Sequence, residues 1–383
     1  MNFKLQKIVP QLITVLAVVL VFGFFSYNAQ VNMENRGIDF GYGFLSQESS
    51  FDVQFSLIEY DGSHSYFRAY LVGLLNTILV SVIGIIIATI LGIIVGVARL
   101  SPNYLINKFA AFYVEFFRNI PLLLQIFFWY FAALRALPLP QDADAMFGVF
   151  FLTIKGLYVP AFVWENFNVF FYSIVAAIIA IVVIRVHARK VQETQGKQLP
   201  VLWISLGLIF ILPLLSFLIG GVNLSFEIPK LKQLAATSYR YEGGLNLPPE
   251  LIALTLSLAL YTATFIAECV RAGIQGVGKG QKEAAASIGL NPNQVLKLVV
   301  MPQALRIIIP PTTNQYLNLT KNSSLAAAIA YPDLVLVFAG TALMQTGKAI
   351  EIVSITMLTY LSLSISISIL MNWYNKKIAI KEK

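Results

Sequence analysis

SVIGIIIATILGIIVGVA, residues 81–98, runs eighteen residues without a charge and is apolar on every face of a helix. At about 1.5 Å of rise per residue such a run crosses most of a bilayer core roughly 30 Å thick. Eight candidate runs of this kind lie near residues 8–27, 69–98, 109–136, 168–186, 199–221, 251–272, 304–339 and 350–374. Only 12% of the 383 residues are charged, against roughly 25% in soluble domains, so a water-soluble fold is excluded. Helix is the state expected within the runs, because lipid leaves an unpaired backbone unsatisfied and the alternating period of barrel strands is absent. The sequence therefore predicts an all-α polytopic membrane protein with about eight transmembrane helices.

Charge distribution orients it. Lys4 and Lys7 precede the first run, Arg99 and Lys108 follow the second, and Arg185, Arg189, Lys190 and Lys197 follow the fourth. Lys279, Lys282 and Lys297 follow the sixth, and Lys376, Lys377, Lys381 and Lys383 follow the eighth. Alternate loops are thus basic, which predicts both termini in the cytoplasm. The intervening loops agree: residues 28–67 carry Glu34, Asp39, Glu48, Asp52, Glu59 and Asp61 against Arg36 alone, and 138–167 is acidic, while 222–250, with Lys230, Lys232 and Arg240, fits weakly. The net charge of +8 is thereby assigned to loops at a membrane surface and not to nucleic acid. The first run has the basic start of a secretion leader, but no small-x-small cleavage site follows FGFFSYNAQ, so a retained anchor is expected. One cysteine, Cys269, and two distant histidines, His64 and His187, predict neither disulfide nor metal site.

The organisation read from the runs is an anchor with an acidic outer loop (1–67), a first core part (68–137), an insertion with two spans and aromatic-rich outer loops (138–250), a second core part (251–375) and a basic tail (376–383). Trp164 and Trp203 read as membrane-interface anchors. Two stretches are too polar for lipid. In YVEFFRNIPLLLQIFFWYF (113–131), Glu115 and Arg118 lie three apart on one helix face and Pro121 interrupts the ladder. Two readings fit: a watery path inside a bundle, or an interfacial pair with Arg118 snorkelling to headgroups. In PPTTNQYLNLTKNSSLAAA (310–328), Asn318, Lys321, Asn322 and Ser323 sit between apolar flanks in a proline-broken segment. Close packing through Ser and Asn is one account; a path lining is favoured, because Lys321 adds a charge that packing does not need.

GIQGVGKGQKEAAASIGL (273–290) contains the GxxxxGK spacing of a phosphate loop. The Ser or Thr that would hold Mg²⁺ is replaced by Gly280, and a membrane run precedes it where a strand is required. The match is coincidental. Gly276, Gly278 and Gly280 instead release the chain from the bilayer, and a short alanine-rich helix follows, stopped by Gly289 and Pro292. Such a helix suits a groove on a partner.

EAAASIGLNPNQVLKLVVMP (283–302) resembles the EAA loop of bacterial ABC importer permeases: EAA, a glycine, nine residues, then I-x-L-P. Glu283, Ala284, Ala285, Gly289 and Pro302 match, with Val299 and Met301 in place of Ile and Leu. GLLNTI (73–78), EFFRNIPLLLQIFF (115–128), MPQALR (301–306), LTKNSSL (319–325) and YPDL (331–334) are similar to the polar amino-acid uptake branch. The long first outer loop and the insertion resemble its general L-amino-acid permease subgroup.

The resemblance implies an inner-membrane permease, not itself an enzyme. It implies a second permease, a different chain, as partner, a dimer of ATPase subunits that bind ATP and Mg²⁺, and a periplasmic amino-acid-binding protein. No cofactor is expected on this chain. Glu283 would make the polar contact to the ATPase, Gly289 the turn, and Ala284 and Ala285 would seat the helix, with Pro302 closing the motif. The substrate-path candidates are Asn76, Thr77, Glu115, Arg118, Asn318, Lys321, Asn322 and Ser323. An ion-gradient-driven transporter would instead show two repeated halves, and the halves here differ in motif and length.

Overall fold

The computed structural model describes residues 3–35, 40–197, 200–219, 221–235 and 238–378; Lys381 and Lys383 of the basic tail, with Arg36 and Asp39, lie outside them. The helices, in chain order, are α1 (Phe3–Asn35), α2 (Tyr66–Ala98), α3 (Tyr104–Asn119), α4 (Leu122–Phe127), α5 (Phe167–Gln195), α6 (Val201–Leu218), α7 (Pro249–Gln275), α8 (Lys279–Ser287), α9 (Pro292–Gln294), α10 (Met301–Asn322), α11 (Leu343–Thr346) and α12 (Ala349–Ile378). Seven helical stretches among the described residues are long and apolar enough to cross a membrane, and the bent pair α3–α4 makes an eighth. The chain divides into two units, residues 1–127 with 253–383, and residues 128–252.

In the first unit α7 is central. Ala253, Leu254, Leu258, Ala259, Ala263, Ile266 and Ala267 are at most 1% exposed. Small residues on its neighbours let backbones approach, which is how helices associate where lipid removes the hydrophobic drive. A Cβ on Gly92 of α2 would stand 2.6 Å from the Ile266 Cβ, and one on Gly96 would stand 2.7 Å from the Ala267 carbonyl. The α3 helix is tied to α7 by Tyr113, whose hydroxyl donates to the Leu260 carbonyl (2.9 Å). The α10 helix is tied to α2 through the Thr89 and Tyr316 hydroxyls (2.8 Å).

Two expected spans are not straight. The run 109–136 bends by 101° between α3 and α4. Pro121 has no N–H for the Phe117 carbonyl four residues earlier. The buried Gln125 side chain replaces it, donating to the Phe117 carbonyl (2.8 Å) and the Ile120 carbonyl (2.9 Å). The run 304–339 is also split. The α10 helix continues through Pro310 and Pro311, so the break expected there does not occur. The chain instead tightens into a 3₁₀ turn over Ser323–Ile329, reverses at Ala330 (φ 60°) and restarts as a π-helix over Val335–Ala342. Pro332 disfavours helix at Tyr331, and Asp333 caps the new segment, its Oδ1 accepting from Leu336 N–H at 2.8 Å.

The second unit holds α5 and α6 and, among its described residues, eight short strands that the expectation of an all-helical chain did not include. They are β1 (Ala145–Met146), β2 (Phe150–Thr153), β3 (Gly156–Val159), β4 (Ala161–Glu165), β5 (Asn223–Glu227), β6 (Lys230–Ala235), β7 (Ser238–Glu242) and β8 (Leu245–Leu247). They pair antiparallel as β1-β2-β3-β8, β4-β5 and β6-β7. FFLTIKGLYV contains both arms of the β2–β3 hairpin, with Thr153 opposite Gly156, but its aromatic density also suits a membrane-interface loop. Tyr241 packs against Phe151 and Tyr158, with ring centroids 4.4 and 4.9 Å away.

Candidate functional site

Three groups of residues are brought together in the first unit. The short helix α8 is presented between the ends of α7 and α10. Gly289 adopts φ 87°, a left-handed conformation that costs a side-chain-bearing residue about 1–2 kcal/mol. There Gly289 N–H donates to the Ala286 carbonyl (3.0 Å) and Leu290 N–H to the Ala285 carbonyl (3.3 Å), closing the helix. The next turn is set at once: Asn291 Oδ1 accepts from Gln294 N–H (2.9 Å) while Gln294 Oε1 accepts from Asn291 N–H (3.0 Å), a capping box with Pro292 in the first turn. Behind α8 lies a cavity of about 450 Å³ lined mainly by Ile274, Ala286, Leu290, Val295 and Val300. Ala285 is 5% exposed and so packs inward; it does not share a seating face with Ala284, as the motif alone implied. The outward face carries Glu283, Ala284, Ser287 and Ile288, the last 78% exposed. Pro302 is half-buried at the start of α10, which follows directly on a π-helical turn over Val295–Val300.

The second group surrounds the bend. Glu115, Arg118 and Asn119 of α3, Arg99 at the end of α2, and Phe265 and Glu268 of α7 line a cavity of about 360 Å³. Arg118 stacks its guanidinium over the Phe265 ring at 4.9 Å. Arg99 pairs with Glu268, and Glu268 Oε2 also accepts from Arg271 Nη2 (2.8 Å) and Nε (3.1 Å). Arg271 Nη1 continues to Gln275 Oε1 at 2.9 Å, in the last residue of α7 before α8. Sequence reasoning found Glu115 and Arg118 but missed Arg99, Glu268 and Arg271 as a set. The i, i+3 spacing of Glu268 and Arg271 inside an otherwise apolar run was the available signal.

The third group is the turn at 331–334. Asn76 and Thr77 are fully buried. Asn76 Nδ2 donates to the Pro332 carbonyl (2.8 Å), and Thr77 Oγ1 accepts from Leu334 N–H (3.0 Å). Tyr331 returns a bond from its hydroxyl to the Asn76 carbonyl (3.2 Å). Ser323 is also fully buried and donates to the Thr320 carbonyl (2.7 Å). Asn318 and Lys321, by contrast, are exposed, and with Asn314 they form a polar stripe at helical spacing along α10; Asn322 is half-buried beside it. The structure thus separates the eight path candidates into a charged cavity, an exposed stripe and a buried pin.

Residues 196–380 match the family model for the binding-protein-dependent transport system inner membrane component. The general L-amino acid transport system permease protein AapQ of Rhizobium johnstonii is 46% identical over 381 residues, covering 99% of this chain and 94% of its own. The chain belongs to this family. The glutamate/glutamine/aspartate/asparagine transport system permease protein BztB of Rhodobacter capsulatus is 39% identical to this permease over 412 residues, covering 99% of this chain and 95% of its own. The permease is therefore a multi-pass inner-membrane subunit of an ABC transporter, and the match covers both of its units.

Proposed function

We propose that this permease carries L-amino acids from periplasm to cytoplasm as the membrane subunit of an ATP-driven importer. It pairs with a second, different permease chain, takes substrate from a periplasmic binding protein, and is driven by a dimer of ATPase subunits that hold ATP and Mg²⁺. The observation that carries the reading is α8, a helix closed at Gly289 whose outward face, Glu283, Ala284, Ser287 and Ile288, is exposed and not covered by any of the described residues. On this reading α8 lies on the cytoplasmic side with both termini. Ile288 is the apolar knob that enters the ATPase groove, and Glu283 the polar contact at its edge.

A push on α8 has a short route into the bundle. Gln275, Arg271, Glu268 and Arg99 form a continuous polar chain from the foot of α8 to the cavity that holds Glu115 and Arg118. An amino acid offers an ammonium and a carboxylate, which Glu115 and Arg118 complement. The α10 stripe with Asn318, Lys321 and Asn322 lines the approach to the paired permease, and Asn76, Thr77 and Ser323 hold the wall in shape. The relatives' substrates, general L-amino acids in one and glutamate, glutamine, aspartate and asparagine in the other, define the panel to test.

Proteoliposomes holding the permease pair and its ATPase are expected to take up labelled amino acids only with binding protein outside and ATP within reach of the ATPase. Uptake driven by an imposed proton or sodium gradient without ATP would overturn the reading. Within the same assay Ile288→Asp is expected to lower uptake about ten-fold or more by removing the knob.

A further inference from the structure

Residues 40–65 fold back over the N-terminal end of α2 as a closed loop. Tyr66 N–H donates to the Gln47 carbonyl (3.0 Å), Ser49 N–H to the His64 carbonyl (2.8 Å) and Ser50 N–H to the Gly62 carbonyl (2.9 Å). The far end is set by Asp61, whose Oδ1 accepts from Ser63 N–H at 2.9 Å, and the Ser63 hydroxyl and N–H hold the Asp61 carboxyl below the usual carboxylate range. The loop's base is anchored. Gly41 N–H donates to the buried Glu351 carboxylate (2.8 Å), and buried Phe44 packs with Tyr66, Leu334, Phe338 and Ile352.

The tip goes deeper. The Phe55 carbonyl accepts a 2.9 Å bond from Asn76 Nδ2, and Asn76 stands about 15 Å along α2 from Tyr66 at 1.5 Å per residue. The Phe55 ring meets the ring of fully buried Tyr331, centroids 6.2 Å apart. Since the same amide nitrogen holds the Pro332 carbonyl, one side chain clamps the loop tip and the 331–334 turn together. The clamp is incompletely satisfied: among the described residues the buried Asn76 Oδ1 has no hydrogen-bond partner. A buried polar atom left so costs free energy in this arrangement. The tip itself, residues 53–58, is held inside by the Asn76 bond and the Tyr331 ring contact, with Gln54 and Leu57 exposed along it; its two ends are fixed to the rest of the loop and to α2, Gly62 N–H donating to Asp52 Oδ1 (2.9 Å) and Arg68 Nε to the Glu59 carbonyl (2.7 Å).

We propose that the loop tip, residues 53–58, is a plug that closes the outer end of the permease at rest, held by Asn76, and that it withdraws when the outer side opens to receive substrate. The proposal rests on the orientation and ATP coupling argued above. The test uses the complete importer in nanodiscs, with Cys269→Ser as background and Phe55→Cys or Ser56→Cys as the only thiol, exposed to a hydrophilic maleimide. Both thiols are expected to react slowly at rest and about ten-fold faster after trapping with ATP, vanadate and binding protein, as a shift between two states requires. Leu57→Cys, at a position 49% exposed, is expected to react fast in both conditions. Asn76→Ala is expected to raise the resting rate at Phe55→Cys. If that variant fails to assemble, the comparison in the native clamp decides alone. Equal rates in the resting and trapped states overturn the plug. ATP-driven uptake by the same complex reports the importer reading separately, so uptake with an unresponsive thiol sinks the plug and leaves that reading standing.

Discussion

Glu268 sits between two arginines, and its neutralisation is the sharpest single-residue test in the bundle. Its side chain is 22% exposed and that of Arg99 19%, so the charges are only partly screened. Glu268→Gln leaves Arg99 and Arg271 facing each other without an anion. The expected loss is on the order of 2 kcal/mol, below the roughly 3–5 kcal/mol of a fully buried pair, read as a lower Tm of the purified complex. Adding Arg99→Gln is expected to restore part of it. At Gly289 the backbone sets the effect: Gly289→Ala carries about 1–2 kcal/mol of left-handed strain into the turn behind α8. Binding-protein-stimulated ATP hydrolysis is expected to fall while expression holds. The charged residues of both sites were legible in the sequence as types. Glu115 and Arg118 stood out beside Pro121, whereas the Arg99–Glu268 contact joins positions far apart in the chain, and no local spacing announces it.

Among elements, α2 and α8 show how far periodicity carries. The repeat Gly84, Ala88, Gly92, Gly96 faces inward at every fourth position of α2, the spacing that puts small residues on one helix face. Gly92→Leu is expected to separate α2 from α7, because the Ile266 side chain already occupies the space a Cβ would enter; crosslinking between introduced cysteines on the two helices would fall. In α8 the sequence showed three alanines without saying which faced out. Ala285→Glu is expected to disrupt the loop itself, seen as lost expression. Ala284→Cys is expected to leave the fold intact and to crosslink to a cysteine in the ATPase groove. The two breaks were partly legible. Pro121 announced the first, but nothing local announced that Gln125 would replace the missing donor, and Pro310–Pro311 suggested a break twelve residues before the 3₁₀ turn that makes one.

At the scale of the molecule, the eight runs and their charges were enough for fold class. Folding of the acidic loop at 40–65 and of the strands at 145–247 was not legible: β3–β8 and β4–β5 join positions far apart in the chain, which single-sequence periodicity does not encode, and the local hairpins β1–β2, β2–β3 and β6–β7 are too short to show a clear alternation. The α1 helix is apolar over Val9–Asn28, and none of that span is buried within the chain. Replacing α1 with a cleavable secretion leader is accordingly expected to leave ATP-driven uptake within about two-fold, since surface elements without buried partners contribute little. A loss of assembly would show that another subunit covers it.

The second unit carries its own closure. Where the chain enters it, the Tyr130 hydroxyl donates to Glu250 Oε1 (2.7 Å), the residue with which the chain prepares to leave, and Arg135 Nη2 donates to the same hydroxyl (3.0 Å). Entrance and exit therefore meet, so a gene can gain, lose or exchange everything between them without altering the distance the flanking chain must cover. The same property makes positions just inside Arg135 and Glu250 natural splice points for a reporter domain or a shortened hairpin.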